Sequence, residues 1–448
     1  MYSITKSKTT KRYAIFICLV YIFVFKDWME QYIPVVGYMD ELFAVLSIPV
    51  FVFELKKNQF KLKIQKCTWG GYARFILVFL CFGFLSSVIY RYQSILKAEV
   101  SDAFLCIKFW LALYVGKKIF AKIDMQKYAS KIYFHVKCIT ILYGVLIVID
   151  YSLHIFQATE RYGLRSEQLM YTHPTVLVAC CVFLIMILLS LKNYVTGSKK
   201  YIIMLLLIMC STLRSKAFGA ALAIILICYF VFVRKKKITL RTMLLFIPLV
   251  VILGWDQIQY YFFSSIIPDS ARYQLLTKAF EIARDMFPLG AGFATFGSYY
   301  SGVYYSSVYA AYGLSNINGL RIGASQFISD SFWPMILGQS GYFGLFSYIF
   351  AVMMLLKAIQ GIRRVENSYY AAAMSGICYL IIVSMDIPSS LIFRAISICF
   401  FCSPFSIPFS IPSFIPSLIP SFSPSFIPSS AAFLRISSFL RRSSSSTI

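Results

Sequence analysis

The sequence predicts an all-α polytopic membrane protein, and three observations predict it. Hydrophobic residues make up 59% of the 448-residue chain and charged residues only 14%, with a mean hydropathy of +0.73. Apolar runs close to the roughly 20 residues that one bilayer-spanning helix needs recur down the chain. The connectors between those runs are rich in lysine and arginine. Backbone polar groups in lipid must be satisfied within the protein, so the runs are helices or barrel strands. Continuous apolar stretches without two-residue alternation exclude the barrel.

Taken in order, the spans fall at about 12–28, 40–55, 69–90, 100–117, 132–151, 173–191, 200–213, 216–233, 241–256, 331–356, 368–387 and 390–402. The first follows a basic start, as a signal peptide does. Phe25, Lys26, Asp27 and Trp28 follow it in place of a small-residue cleavage site, which reads as an uncleaved anchor. The twelve cysteines lie mostly inside spans, where a thiol behaves as a small hydrophobe. Cys399 and Cys402 have CxxC spacing but sit in an apolar run.

Charge orients the threading, because lysine and arginine favour cytoplasmic connectors. One alternating side carries Lys56 to Lys66, Lys117 to Lys131, Lys192 to Lys200, Arg234 to Arg241, and Lys357 to Arg364. With Lys6, Lys8, Lys11 and Arg12 that side holds 25 of the 43 basic residues. A one-helix error would scramble the alternation. Twelve spans with both termini cytoplasmic are therefore expected, and the net charge of +25 follows from topology rather than from nucleic-acid binding.

Residues 1–402 thus form the membrane domain. Residues 403–448 differ: proline recurs every fourth position from Pro404 to Pro428 among Ser, Phe and Ile. Proline at that density forbids a continuous helix, and the tract reads as a disordered low-complexity tail. Its abrupt onset is expected of a reading-frame accident, which resequencing the gene would test.

Two external connectors are long, about 152–172 and about 257–330. Long loops are usually functional or disordered, and the second has structure written into it. From Ala271 to Phe287, Leu275, Leu276, Ala279, Phe280, Ala283, Met286 and Phe287 recur at helical spacing, which predicts an amphipathic helix. Pro288 to Gly292 ends it with turn-forming glycines. Six tyrosines follow, including Tyr304 and Tyr305, suited either to sugar faces or to an interfacial aromatic belt.

External basic residues are few: Arg161 and Arg165 in the first loop, Arg214 and Lys216 in a short outer turn, and Arg272, Arg284 and Arg321 in the large loop. A guanidinium binds phosphate oxygens through two parallel hydrogen bonds. Several converging on one membrane surface would hold a lipid-linked diphosphate; singly, each is equally a solvated charge or a headgroup contact.

Four stretches carry a family likeness. They are RYGLRSEQLMYTHP (Arg161 to Pro174), STLRSKAFGAALA (Ser211 to Ala223), PLGAGFATFG (Pro288 to Gly297) and SDSFWPMILGQSGYFG (Ser329 to Gly344). In this order and sidedness the chain resembles the bacterial O-antigen ligase and polymerase superfamily, the Wzy-type polymerases and WaaL-type ligases. The resemblance implies a membrane glycosyltransferase with about a dozen spans and a large external loop, needing no metal and no cofactor. Asp330 stands where the ligases usually have histidine, which tilts the expectation towards a polymerase of surface polysaccharide repeat units.

The implied donor is a glycan on polyprenyl diphosphate, and the acceptor a sugar hydroxyl of the next lipid-linked unit; a chain-length regulator is a further expected partner. Breaking the anomeric bond builds charge on the departing diphosphate, which well-placed arginines stabilise. Arg214 is the first expected catalytic arginine, with Arg161, Arg165 and Arg272 binding substrate beside it. Asp330 is the expected base for the acceptor hydroxyl, its competing role being a helix cap before Ser331. His173 and the tyrosines Tyr304 and Tyr305 complete the expected binding set. For His173 the competing role is a helix start before Pro174; Glu160 and Glu167 are alternative bases. Two other functions stay open, a WaaL-type ligase and a flippase for lipid-linked sugars. A flippase predicts internal repeats and deep charges such as Lys108 and Lys137, and no repeat is visible.

Overall fold

The structure is a computed structural model that describes residues 2–57, 69–120, 123–238, 259 and 270–384. The expected spans at 241–256 and 390–402, the tail 403–448 and the Cys399–Cys402 pair lie outside these residues. Helices dominate. In order they are α1 (Tyr2–Glu30), α2 (Met39–Lys57), α3 (Trp69–Tyr90), α4 (Leu96–Phe120) and α5 (Met125–Leu153). A hairpin of β1 (Thr159–Arg161) and β2 (Leu164–Ser166) leads into α6 (Pro174–Ser190), α7 (Ser198–Ser211) and α8 (Ser215–Cys228). The large loop contributes α9 (Ala271–Asp285) and the short α10 (Tyr299–Val303) and α11 (Val308–Ala311). Two long helices close the series, α12 (Phe332–Ile362) and α13 (Asn367–Val383).

Four of these stretches are long and apolar enough to cross a membrane: Gly71–Tyr90, Met125–Leu153, Ser215–Val233 and Phe332–Ile362. Pro174–Ser190 and Asn367–Val383 are equally apolar but shorter. α6 is the centre of the bundle. It carries no charged residue, and from Val176 to Ser190 every side chain is buried. A helix that is hydrophobic all round belongs inside other helices; α7 and α13 pack against it, and α13 also packs against α8 and α12.

Side-chain contacts sort the helix ends into two sets. At one end Thr10 bonds Tyr128 (2.9 Å), Asn193 bonds Glu366 (2.6 Å), Tyr369 bonds Tyr194 (2.7 Å), and Arg363 donates to the Lys235 carbonyl. Lys127, Lys192, Lys199, Lys200 and Arg234 to Lys237 all stand at this end. At the other end Tyr171 donates to the Val24 carbonyl (2.8 Å), Thr172 N to Asp27 (2.8 Å), Glu167 N to the Ser211 carbonyl (3.1 Å) and Trp333 to Ser384 (3.0 Å). The lysine-rich connectors and the long-loop connectors therefore occupy opposite ends.

The large loop has its own core. Leu275, Ala279, Ile282, Ala283 and Met286 of the α9 region pack with Phe296, Tyr309, Leu314, Leu320 and Ile328. The expected helix is present, but its buried stripe runs through Ile282. Phe280 and Phe287, expected on the apolar face, are 50% and 63% exposed. The segment after α9 also corrects the expectation of a simple turn. Ala291 to Ser298 are buried and wedge into α12. Gly341 (φ 67) interrupts that helix, and the freed carbonyls of Gly338 and Gln339 accept Ala291 N (2.8 Å) and Gly292 N (2.9 Å). A Cβ at Gly290 would stand 2.6 Å from the Gly338 carbonyl oxygen, so only glycine fits this contact. Broken helical backbone is tolerated where protein re-satisfies it, and here the wedge does so.

Candidate functional site

The end of the bundle away from the lysine-rich connectors gathers ionisable groups from five places. The hairpin presents Arg161 at its tip, where Tyr162 (φ 54) and Gly163 (φ 71) make the two-residue turn. Positive φ at both turn residues matches the twist of a tight hairpin. The turn between α7 and α8 presents Arg214 directly before the first residue of α8, half-buried, after a left-handed Leu213 (φ 49). His173 precedes Pro174 as the cap of α6: its Nδ1 accepts Thr175 N (3.3 Å) and bonds the Thr175 hydroxyl (2.7 Å). Lys216 and Asp27 approach the same imidazole, and Asp27 accepts both Thr172 N and the Thr172 hydroxyl.

Electrostatics show these groups acting on one another. The His173 imidazole is pushed down to about 4 by loss of solvent, then by the guanidinium charges of Arg214 and Arg161, with Asp27 opposing. Arg214 is itself lowered by burial and by Arg161. Its Nε is buried without a hydrogen-bond partner. Among the described residues no acid pairs with Arg161 or Arg214. Two guanidiniums that repel each other lie at the N-termini of α6 and α8, whose peptide dipoles add further positive potential. Such an arrangement concentrates positive potential at that end of the bundle.

Arg165 points elsewhere. Its Nη2 donates to Asp150 Oδ2 (2.9 Å) and to the Phe156 carbonyl (2.6 Å), and its Nε stands 3.3 Å from Glu167 Oε1. That guanidinium anchors the hairpin to α5, with its partners among acids of the chain itself. Asp150, in the last turn of α5, also accepts Phe156 N (2.7 Å). Glu167 is buried behind the hairpin, and its carboxyl is pushed up to about 7, first by burial and then by Asp150, against the pull of Arg165.

The other expected residues form a separate group. Arg272, in the first turn of α9, pairs with Asp330 at 3.2 Å, both side chains partly exposed. Arg272 is therefore neutralised by the expected base rather than gathered beside Arg214. Ser331, not Asp330, is the cap residue of α12. Tyr305 donates to the Leu320 carbonyl (2.8 Å) and its ring lies 5.1 Å from that of Tyr309, so it is partly buried against the loop core. Tyr304 is half-buried and stacks near-parallel on Tyr300. Arg321 closes a turn onto the Asn316 carbonyl. The two groups share one end of the bundle: Trp333, three residues past Asp330, bonds Ser384 at the end of α13, which packs on α6 and α8.

Sequence reasoning passed over Asp27 and Asp150. Each is an acid near the end of an apolar run, and that position was the available signal. Compared with known proteins, the chain matches no family model and no curated protein.

Proposed function

We propose that this protein is a membrane glycosyltransferase of the polysaccharide-polymerase kind. It joins oligosaccharide repeat units carried on polyprenyl diphosphate at the outer face of a bacterial cytoplasmic membrane. The observation that carries the reading is the convergence of Arg161 and Arg214, which no acid among the described residues pairs, beside the N-termini of α6 and α8. The lysine-rich connectors at the opposite end of the bundle support placing this site on the outer side. A full threading of twelve spans, with both termini cytoplasmic, belongs to the same proposal.

In this reading the diphosphate of the donor lies between Arg161 and Arg214. As the anomeric carbon–oxygen bond breaks, charge grows on the departing phosphate oxygen, and guanidiniums already fixed there stabilise it with little reorganisation. The acceptor sugar hydroxyl forms the new bond at the anomeric carbon and gives up its proton to a carboxylate. Asp330 is the assigned base, and Arg272 stands 3.2 Å from it. The exposed Tyr299 and half-buried Tyr300 and Tyr304 offer apolar ring faces to the sugar.

The test is the gel ladder of surface glycan from a deletion strain complemented with the wild type, Arg214→Ala or Asp330→Ala. Loss of long chains, with single repeat units left on the surface or the lipid anchor, is expected from both variants. Long chains stranded on the lipid carrier would identify a ligase instead, and single units trapped inside a flippase. Unchanged ladders from stable, expressed variants would remove the site assignment.

A further inference from the structure

Behind the hairpin three groups crowd together with unequal bonding capacity. Asp150 Oδ2 takes Arg165 Nη2 and Asp150 Oδ1 takes Phe156 N, one donor to each oxygen, which leaves acceptor capacity for a further donor. Glu167 is buried, and neither of its carboxyl oxygens has a hydrogen-bond partner. Arg165 Nε lies 3.3 Å from Glu167 Oε1 but makes no hydrogen bond to it. Written as two carboxylates, the pair sets two buried anions on a single guanidinium with too few donors. A proton on Glu167 supplies the missing donor towards Asp150, and burial of unpaired polar atoms makes its absence costly.

The same residues fix the hairpin. Glu167 N bonds the Ser211 carbonyl (3.1 Å) and Ser166 Oγ the Thr212 carbonyl (2.7 Å), joining the strand to the turn that carries Arg214. Arg165 ties it to α5 through Asp150. Arg161 rides at the hairpin tip, four residues from Arg165. The distance between the two unpaired arginines is therefore set by the anchor at Asp150, Arg165 and Glu167.

We propose that Glu167 is a positioning residue for the diphosphate site: protonated, it lets Asp150 and Arg165 hold the hairpin so that Arg161 stands beside Arg214. This rests on the diphosphate reading above. Loss of the proton sets Glu167 against Asp150 and loosens the anchor, and anion binding weakens. The charged and titratable groups around Glu167 are Asp150 from α5 and Arg165 from β2. Beyond them are Arg214 and Lys216 from the α7–α8 turn, His173 from the α6 cap, Glu160 and Arg161 from β1, and Asp27 from α1. A sugar diphosphodiester has no group that titrates near neutrality. The His173 imidazole, held down by burial and by Arg214 and Arg161, is separated from Glu167 by the Glu167→Gln variant, which leaves the imidazole in place.

The experiment is equilibrium binding of a farnesyl-diphosphate-linked sugar to the purified full chain at pH 6, 7 and 8, for the wild type, Glu167→Gln and Asp150→Asn. The wild type is expected to bind roughly tenfold more weakly at pH 8 than at pH 6, as a one-unit shift of the Glu167 pKa on binding would give. Glutamine, a permanent stand-in for the protonated acid, is expected to flatten that profile. Asp150→Asn, which removes the opposing charge, is expected to flatten it too. A wild-type profile that is already flat, or one that Glu167→Gln leaves unchanged, overturns the inference. Failure of the wild type to bind the probe at any pH strikes the diphosphate reading itself.

Discussion

The two groups of ionisable residues at the end of the bundle away from the lysine-rich connectors differ in how their charge is balanced. Around Arg214 the cations outnumber the acids within reach: Arg161 depresses Arg214, and both depress His173. In the large loop Arg272 and Asp330 cancel one another at 3.2 Å, in partial contact with solvent. The loop pair brings one charge of each sign together, with side chains 25% and 15% exposed. An unbalanced, half-buried one is tolerated when a ligand completes it. In the proposed function binding falls to the N-terminal ends of α6 and α8, and the loop pair is left to meet the acceptor.

The sharpest way to break this contrast is to remove one arginine from each group. Arg214→Ala is expected to lower turnover by about 10²–10³-fold, the usual loss for one preorganised donor to a developing oxyanion. Arg272→Ala is expected to cost much less, because it removes the partner of Asp330 and no ligand to the diphosphate. Comparable losses in a turnover assay would dissolve the distinction.

Next in size is the wedge that fixes the loop to the bundle. Gly290→Ala forces a methyl against the Gly338 carbonyl, where backbone cannot give way. Overpacking of this kind destabilises by about 1–3 kcal/mol, seen as a lower unfolding temperature in detergent. An unchanged temperature would mean that the wedge does not clamp the loop.

The pH dependence of stability tests the acid behind the hairpin. Glu167 holds its proton more tightly in the fold, near 7, than in the unfolded chain, near 4.5. The native chain then binds more protons across that window, so stability falls as pH rises from 4.5 to about 7 and levels off above. Glu167→Gln is expected to gain on the wild type through that interval and hold a constant lead beyond it. A lead independent of pH contradicts the assignment. Smallest of all is the loop ion pair: a double-mutant cycle on Arg272 and Asp330 is expected to return about 0.2–1 kcal/mol. A coupling of several kcal/mol would show the pair to be more than a rim contact.

Sequence reading reached the helices because apolar length and charge alternation are local signals. It named Arg161, Arg214 and His173, which the fold brings together, and it identified the amphipathic helix after Ser270. It could not assign partners. Whether Arg165 meets a phosphate or Asp150 depends on where a hairpin docks against a helix that ended several residues earlier, and spacing along the chain does not encode this. Tyr305 looked like its neighbours, yet a bond to the Leu320 carbonyl turns it inward. The glycines of Pro288 to Gly297 read as a turn because their purpose, close approach to the break at Gly341, is a tertiary one.

Binding of a farnesyl-diphosphate-linked sugar to purified variants at a single pH tests the central claim most directly. The account predicts that Arg161→Ala and Arg214→Ala each weaken binding at least about tenfold, as expected for loss of a hydrogen bond to a charged group, while Arg272→Ala stays within about twofold. Undiminished affinity in both of the first two variants, or a dominant loss in the third, would contradict it.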